Sequence, residues 1–221
     1  MRTIVLGCLC VLVTVSCTRL RNEGIEKENL SASSSSYTSD SKLVPGEYVK
    51  WVEDEQNGLK KKKEIEDIVF YAQYKPLPYI VCEEERKNDL PDTTIKRRTS
   101  ELKGMQYLTL KIELKQAKGE LLRYGISTTD DYNSRVSYFS FDMQKDLQLV
   151  EEGDTLPCLL FNYERIYGLA PYATFSLAFA KGKNINADKT LILFDHIFNK
   201  GLVKFYFKGK DIEAVPQVAA I

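Results

Sequence analysis

Residues 106–115 alternate between apolar and polar side chains without a break, and no other stretch constrains the fold as tightly. Leu108, Leu110, Ile112 and Leu114 share one side; Tyr107, Thr109, Lys111, Glu113 and Lys115 share the other. Successive side chains of a strand point to opposite faces. The run therefore predicts a strand with one face in a core and one in water, as antiparallel sheets use. Residues 136–143, 155–163, 173–180, 189–194 and 202–207 are further apolar runs rich in Phe, Tyr, Leu and Val. Turn-forming residues separate them at 152–154, 168–171, 182–188 and 199–201. Short strands divided by turns predict a sandwich or a related all-β fold.

The N-terminal half carries the same signals less cleanly. Residues 47–52 read as a strand with Tyr48 and Trp51 as its large residues. Asn57-Gly58 tolerates the positive φ angles of a tight hairpin, with residues 59–65 as the return strand. The lysines at 60, 61, 62 and 63 suit an edge strand guarded against further pairing, or attraction to an anionic surface. Residues 68–74 form another strand; Pro76 and Pro78 interrupt it and residues 79–82 resume it. Residues 92–103 predict a short helix capped by Asp92 or Thr93, and residues 128–133 a loop or one helical turn. The apolar tail at 215–221 suits a short edge strand. The expected fold is mainly β: a single antiparallel β-sandwich-like domain over residues 43–221 with few short helices.

The N-terminus addresses the chain to a membrane. An arginine, an apolar run over residues 4–15 and a small residue, Ser16, precede Cys17. That order is a secretory signal. Its ending on a cysteine resembles a bacterial lipoprotein signal peptide. Val15 and Ser16 fit the pattern; Thr14 stands where leucine is usual. Residues 4–16 are too few for the ~20 apolar residues of a membrane-spanning helix. The resemblance implies removal of residues 1–16, lipidation of Cys17, and a cell-envelope location held by acyl chains. Each acyl methylene buried in the membrane contributes about 0.8 kcal/mol. Thr18, where an aspartate would favour inner-membrane retention, resembles lipoproteins sorted to the outer membrane. Residues 17–42 read as a flexible tether, with seven serines between positions 31 and 41.

Composition excludes some functions. Thirty-one basic residues balance thirty-one acidic ones, so no basic field draws in nucleic acid. His196 is the sole histidine, and no Gly-x-Ser-x-Gly sets up a nucleophile. No metal site and no cofactor are expected. Glu151, Glu152 and Asp154 cluster in one turn, Asp130 and Asp131 in another, without the separation that paired-carboxylate hydrolysis requires. Cys82 and Cys158 remain in the mature chain. In an exported protein they suit a disulfide; equally, they suit small buried apolar positions.

The aromatic-rich segment at 163–172 offers Tyr163, Arg165, Tyr167 and Tyr172 as candidate binding residues, since Tyr and Arg carry interface energy and stack on sugars. Tyr71, Tyr74 and Tyr79, around the two prolines, form a second patch. The sequence thus leads to a non-enzymatic, lipid-anchored envelope component whose β domain binds other envelope proteins. Capture of a glycan or other small ligand is the alternative, and a carboxylate-based hydrolase comes behind both.

Overall fold

The computed structural model describes residues 39–166 and 170–219. In chain order its elements are β1 (Lys42–Leu43), α1 (Pro45–Glu53), β2 (Lys60–Ile65), β3 (Ile68–Lys75), α2 (Leu77–Glu85), α3 (Asp92–Leu102), β4 (Met105–Leu114), α4 (Thr129–Ser137), β5 (Leu147–Glu151), β6 (Asp154–Leu156), β7 (Cys158–Glu164), β8 (Tyr172–Ala180), β9 (Lys189–Asp195), β10 (Gly201–Phe207), α5 (Gly209–Glu213) and β11 (Gln217–Val218). The larger sheet has the order β2-β3-β4-β8-β7 and the smaller β10-β9-β5-β6. Every pairing within these two sheets is antiparallel. The fold is mainly β, in one domain. The tail does form a short strand: β11 pairs with β1, in parallel.

The two sheets share one core. The alternation over β4 holds throughout: Leu108, Leu110, Ile112 and Leu114 are buried, and Gln106 is buried in the same phase. β3 adds Phe70, Ala72 and Tyr74, and the smaller sheet supplies Leu149, Leu191, Leu193, Phe205 and Phe207. Tyr74 of the larger sheet meets Phe207 of the smaller at 6.4 Å between ring centroids. Each fully buried Leu or Phe stabilises by about 1.5–3 kcal/mol, so these inward positions hold the sheets together. The four lysines do lie on an edge strand, β2.

Three segments expected as strands are helical. Residues 47–52 belong to α1, where Pro45, Tyr48 and Val52 are buried. Their spacing follows one helix face, and Pro45 opens the helix where no amide donor is needed. Asn57-Gly58 therefore closes no hairpin. A 3-10 turn, Glu55–Asn57, ends at Gly58 with φ 78°, and the real hairpin joins β2 to β3. Residues 79–82 lie in α2, with Pro76 and Pro78 at its start, not within a strand. Residues 136–143 leave α4 through a π-turn, Tyr138–Asp142, that buries Phe139. α4 itself extends well past the single turn expected there, because Thr128 Oγ1 accepts the Asp131 amide at 3.0 Å.

Cys82 is buried on α2 and Cys158 is half-buried at the start of β7; both are free thiols, so the possible bridge is not formed. Burial pushes each thiol up to about 11, leaving little nucleophilic thiolate at neutral pH. Among the described residues no helix is long and apolar enough to cross a membrane. Cys17, the signal segment and residues 18–38 of the tether lie outside the described residues.

Candidate functional site

A pocket opens at one end of the sandwich, where four separate segments meet. β3 ends there on Tyr74 and Lys75, and Pro76 and Pro78 turn the chain into α2. α3 contributes Ile95 and Thr99, then passes through Lys103 and Gly104 into β4. Gly104 has φ 122°, a backbone shape that a side chain disfavours, so this glycine makes the sharp turn possible. Lys181 and Ile185 close the pocket from the loop after β8, and Ile212 and Val215 from α5 and the residues after it. The pocket's volume is about 600 Å³. Small-ligand sites fall in the range of about 300–1,000 Å³.

The walls are mostly apolar, and their charge has one sign. Lys75, Lys96, Lys103 and Lys181 line the pocket, and no Asp or Glu does. Two of these charges are answered nearby: Lys75 Nζ lies 2.8 Å from Glu83, and Lys96 pairs with Asp92 one helical turn away. Lys103 and Lys181 have no carboxylate within ion-pair distance among the described residues.

A buried polar network adjoins the pocket through Gln106. Its Nε2 donates to Glu151 Oε2 at 3.0 Å and to the Ala180 carbonyl at 3.3 Å. Glu151 Oε2 also takes a 2.6 Å contact from Lys189 Nζ, whose side chain is 0% exposed. Glu151 and Lys189 face each other in register on β5 and β9. Two acceptors stay unpartnered in this cluster, Gln106 Oε1 and Glu151 Oε1, and Thr99 Oγ1 in the pocket wall is a third buried orphan. Unsatisfied buried oxygens cost free energy and mark a place where a donor would be welcome.

Gly182 makes room for the network. A Cβ there would stand 1.8 Å from Glu151 Oε1. Gly182→Ala is therefore expected to force the buried carboxylate aside and destabilise the domain by about 1–3 kcal/mol, read as a lowered urea midpoint.

The sequence-derived candidates distribute unevenly around this site. Tyr163 does not join a binding loop: it faces inward, stacked on Phe175 at 5.2 Å and edge-on to Phe139 at 5.7 Å. Tyr172 faces the opposite way, under Lys111 Nζ at 4.5 Å. Arg165 is exposed just past the end of β7, and Tyr167 lies outside the described residues. Tyr163 and Tyr172 thus lie on opposite faces of the sheet. The second patch does better. Tyr74, Pro76 and Pro78 line the pocket, whereas Tyr79 is buried with its hydroxyl on Glu53 Oε1 at 2.9 Å, and Tyr71 lies on the outer face.

Glu151, Glu152 and Asp154 border one small cleft with Lys181 and Lys183, but Glu151 is buried and committed to Lys189, Asp154 pairs with Lys183, and Glu152 is exposed. His196 packs edge-on to Tyr138 at 4.7 Å, with Nδ1 3.6 Å from Asp146. Neighbouring Asp195 instead accepts the Phe198 and Lys200 amides and closes the β9–β10 turn. Among the described residues no three of His, Cys, Asp and Glu gather into a metal-holding group.

Lys103, Gln106, Lys181 and Ile185 were not singled out from the sequence. Gln106 left one trace, a polar residue in phase with the apolar side of β4. Glu151 and Lys189 left the same trace, in phase with Leu147 and Leu149 and with Leu191 and Leu193. Compared with family models, curated proteins and solved structures, the chain matches none, so the functional reading rests on the pocket's own chemistry.

Proposed function

We propose that this chain is a lipid-anchored bacterial envelope protein, held by Cys17, whose β domain captures a small apolar ligand in the end-of-sandwich pocket. One observation carries the reading: a cavity of about 600 Å³ with mostly apolar walls, bordered by buried acceptors that have no partner. Apolar clefts with few convergent polar groups are the usual form of a small-ligand site. Carboxylates already paired with Lys189 and Lys183, and poorly acidic thiols, favour binding over covalent or hydrolytic chemistry. The test is titration of the full chain with a fluorescent apolar probe such as N-phenylnaphthylamine. Saturable binding is expected, reduced about tenfold or more by Ile185→Trp, which fills the mouth from an exposed loop. Equal binding to both proteins contradicts the reading.

A second reading, docking of another envelope protein, draws on the β7 edge. The opposite edge strand, β2, bears four lysines, but β7 bears none and exposes Leu159 and Leu160 at 50% and 55%. An unguarded apolar edge accepts an extended strand from a partner through main-chain hydrogen bonds. This reading predicts a stoichiometric co-purifying protein that is lost in Leu160→Lys.

A further inference from the structure

We infer that the pocket's occupant is an anionic amphiphile, with an aliphatic body, a carboxylate or phosphate head between Lys103 and Lys181, and a hydroxyl or amide donor beside that head. The inference rests on the ligand-binding reading above and names the ligand's chemistry.

Charge gives the head. Among the described residues, four lysines and no acid line the pocket. Glu83 and Asp92 answer Lys75 and Lys96. Lys103 and Lys181 stand on two different segments, the α3–β4 turn and the loop after β8, and both are exposed. Both ammoniums border the same pocket with no carboxylate within ion-pair distance among the described residues, so an anionic head group there can pair with them. An ammonium bonded to an anion forms a short, charge-assisted contact stronger than a neutral one.

Wall chemistry gives the body. Leu77, Ile95, Met105, Ile185, Ile212 and Val215 give aliphatic or thioether surface, beside the rings of Tyr74 and Tyr107. Such walls suit a flexible hydrocarbon chain, and a polar glycan would leave its hydroxyls unpaired against them.

Gln106 gives the donor. Both bonds from Nε2 run to Glu151 and Ala180, which fixes the amide orientation and leaves Oε1 as an acceptor without a partner. The residue is 1% exposed and lines the pocket three positions after Lys103. Gln106 lines the pocket, so a ligand hydroxyl or amide hydrogen that reaches its buried Oε1 would satisfy it.

The experiment uses the full-length chain in lipid nanodiscs with diazirine-bearing probes of equal chain length: palmitate, hexadecanol, 3-hydroxypalmitate and a lysophosphatidate. Photolabelled peptides are mapped by mass spectrometry. Palmitate is expected to label peptides covering residues 95–107 and 212–215 about tenfold more than hexadecanol. The double variant Lys103→Glu, Lys181→Glu is expected to bring the palmitate-to-hexadecanol ratio to about one or below, and a ratio kept at the wild-type value overturns the assignment of the head to these lysines. A stronger signal from 3-hydroxypalmitate than from palmitate supports the donor at Gln106, and equal signals overturn it. A preference for lysophosphatidate over palmitate supports a phosphate head, and the reverse a carboxylate. Equal labelling by palmitate and hexadecanol overturns the anionic assignment while the pocket stands. Labelling of none of these peptides by any probe overturns the ligand-binding reading itself.

Discussion

Lys189→Met is expected to destabilise the domain by about 3–5 kcal/mol. The lysine side chain is 0% exposed and Glu151 is 2% exposed, with 2.6 Å between their charged atoms. Removing the cation leaves a buried carboxylate with only the Gln106 amide as donor, while its Oε1 remains without any. Desolvating an unpaired charge costs far more than an ion pair gains, so the single variant suffers most. The double variant Glu151→Leu, Lys189→Met removes both charges together. It is expected to stay within about 1 kcal/mol of the parent, since apolar replacements of buried ion pairs are often neutral or better. Gln106 keeps its Ala180 bond in that background. Urea unfolding of the three proteins checks the pattern; equal losses in single and double variants would show that the charges do not act as a pair.

Phe175→Ala is the second large effect, also about 3–5 kcal/mol. Phe175 is fully buried and touches three other rings: Phe139 at 5.2 Å, Phe161 at 5.7 Å and Tyr163 at 5.2 Å between centroids. Truncation leaves a cavity bounded by rings on separate elements, which cannot all collapse inward. Tyr172→Ala, one strand turn away on the outer face, is expected to cost under about 1 kcal/mol, because its main contact is the cation of Lys111. Thermal unfolding separates the two. A comparable cost at Tyr172 would return the aromatic segment to candidacy as an ordered structural unit.

The strands that alternate were legible because side-chain period alone decides them. β4 is the plainest case: its polar outer face and apolar inner face are both written in residues 106–114. α1 and the π-turn after α4 were not legible, since Tyr, Trp, Val and Phe are strand-favouring residues by composition. At α1 the helical spacing of Pro45, Tyr48 and Val52 outweighs that preference. At α4 the Thr128 cap and the burial of Arg135, which donates to the Tyr124 carbonyl at 2.7 Å, carry the chain past its polar first turn. Pro76 and Pro78 open α2 instead of breaking a strand: in the first turn of a helix a proline loses no hydrogen bond.

The site was legible only in part, for a topological reason. Of the tyrosines at 71, 74 and 79 around the two prolines, only Tyr74 lines the pocket, together with Pro76 and Pro78. Lys103, Lys181 and Val215 come from segments far apart in the chain, and only the sheet order brings them to one mouth. Tyr163 and Tyr172 illustrate the converse. They are close in sequence, yet strand pairing sends one inward beside Phe175 and the other outward beside Glu113.

The unifying physical idea is a pocket that is apolar, positively bordered and short of donors at Gln106. Native mass spectrometry of the full chain, gently extracted from the membrane of cells that produce it, tests that idea most directly. A bound small molecule, acidic and aliphatic, is expected at near-stoichiometric occupancy and absent from the Ile185→Trp protein. A wild-type chain that carries no small molecule and instead retains a stoichiometric protein partner would contradict it, and would move the function from the pocket to the β7 edge.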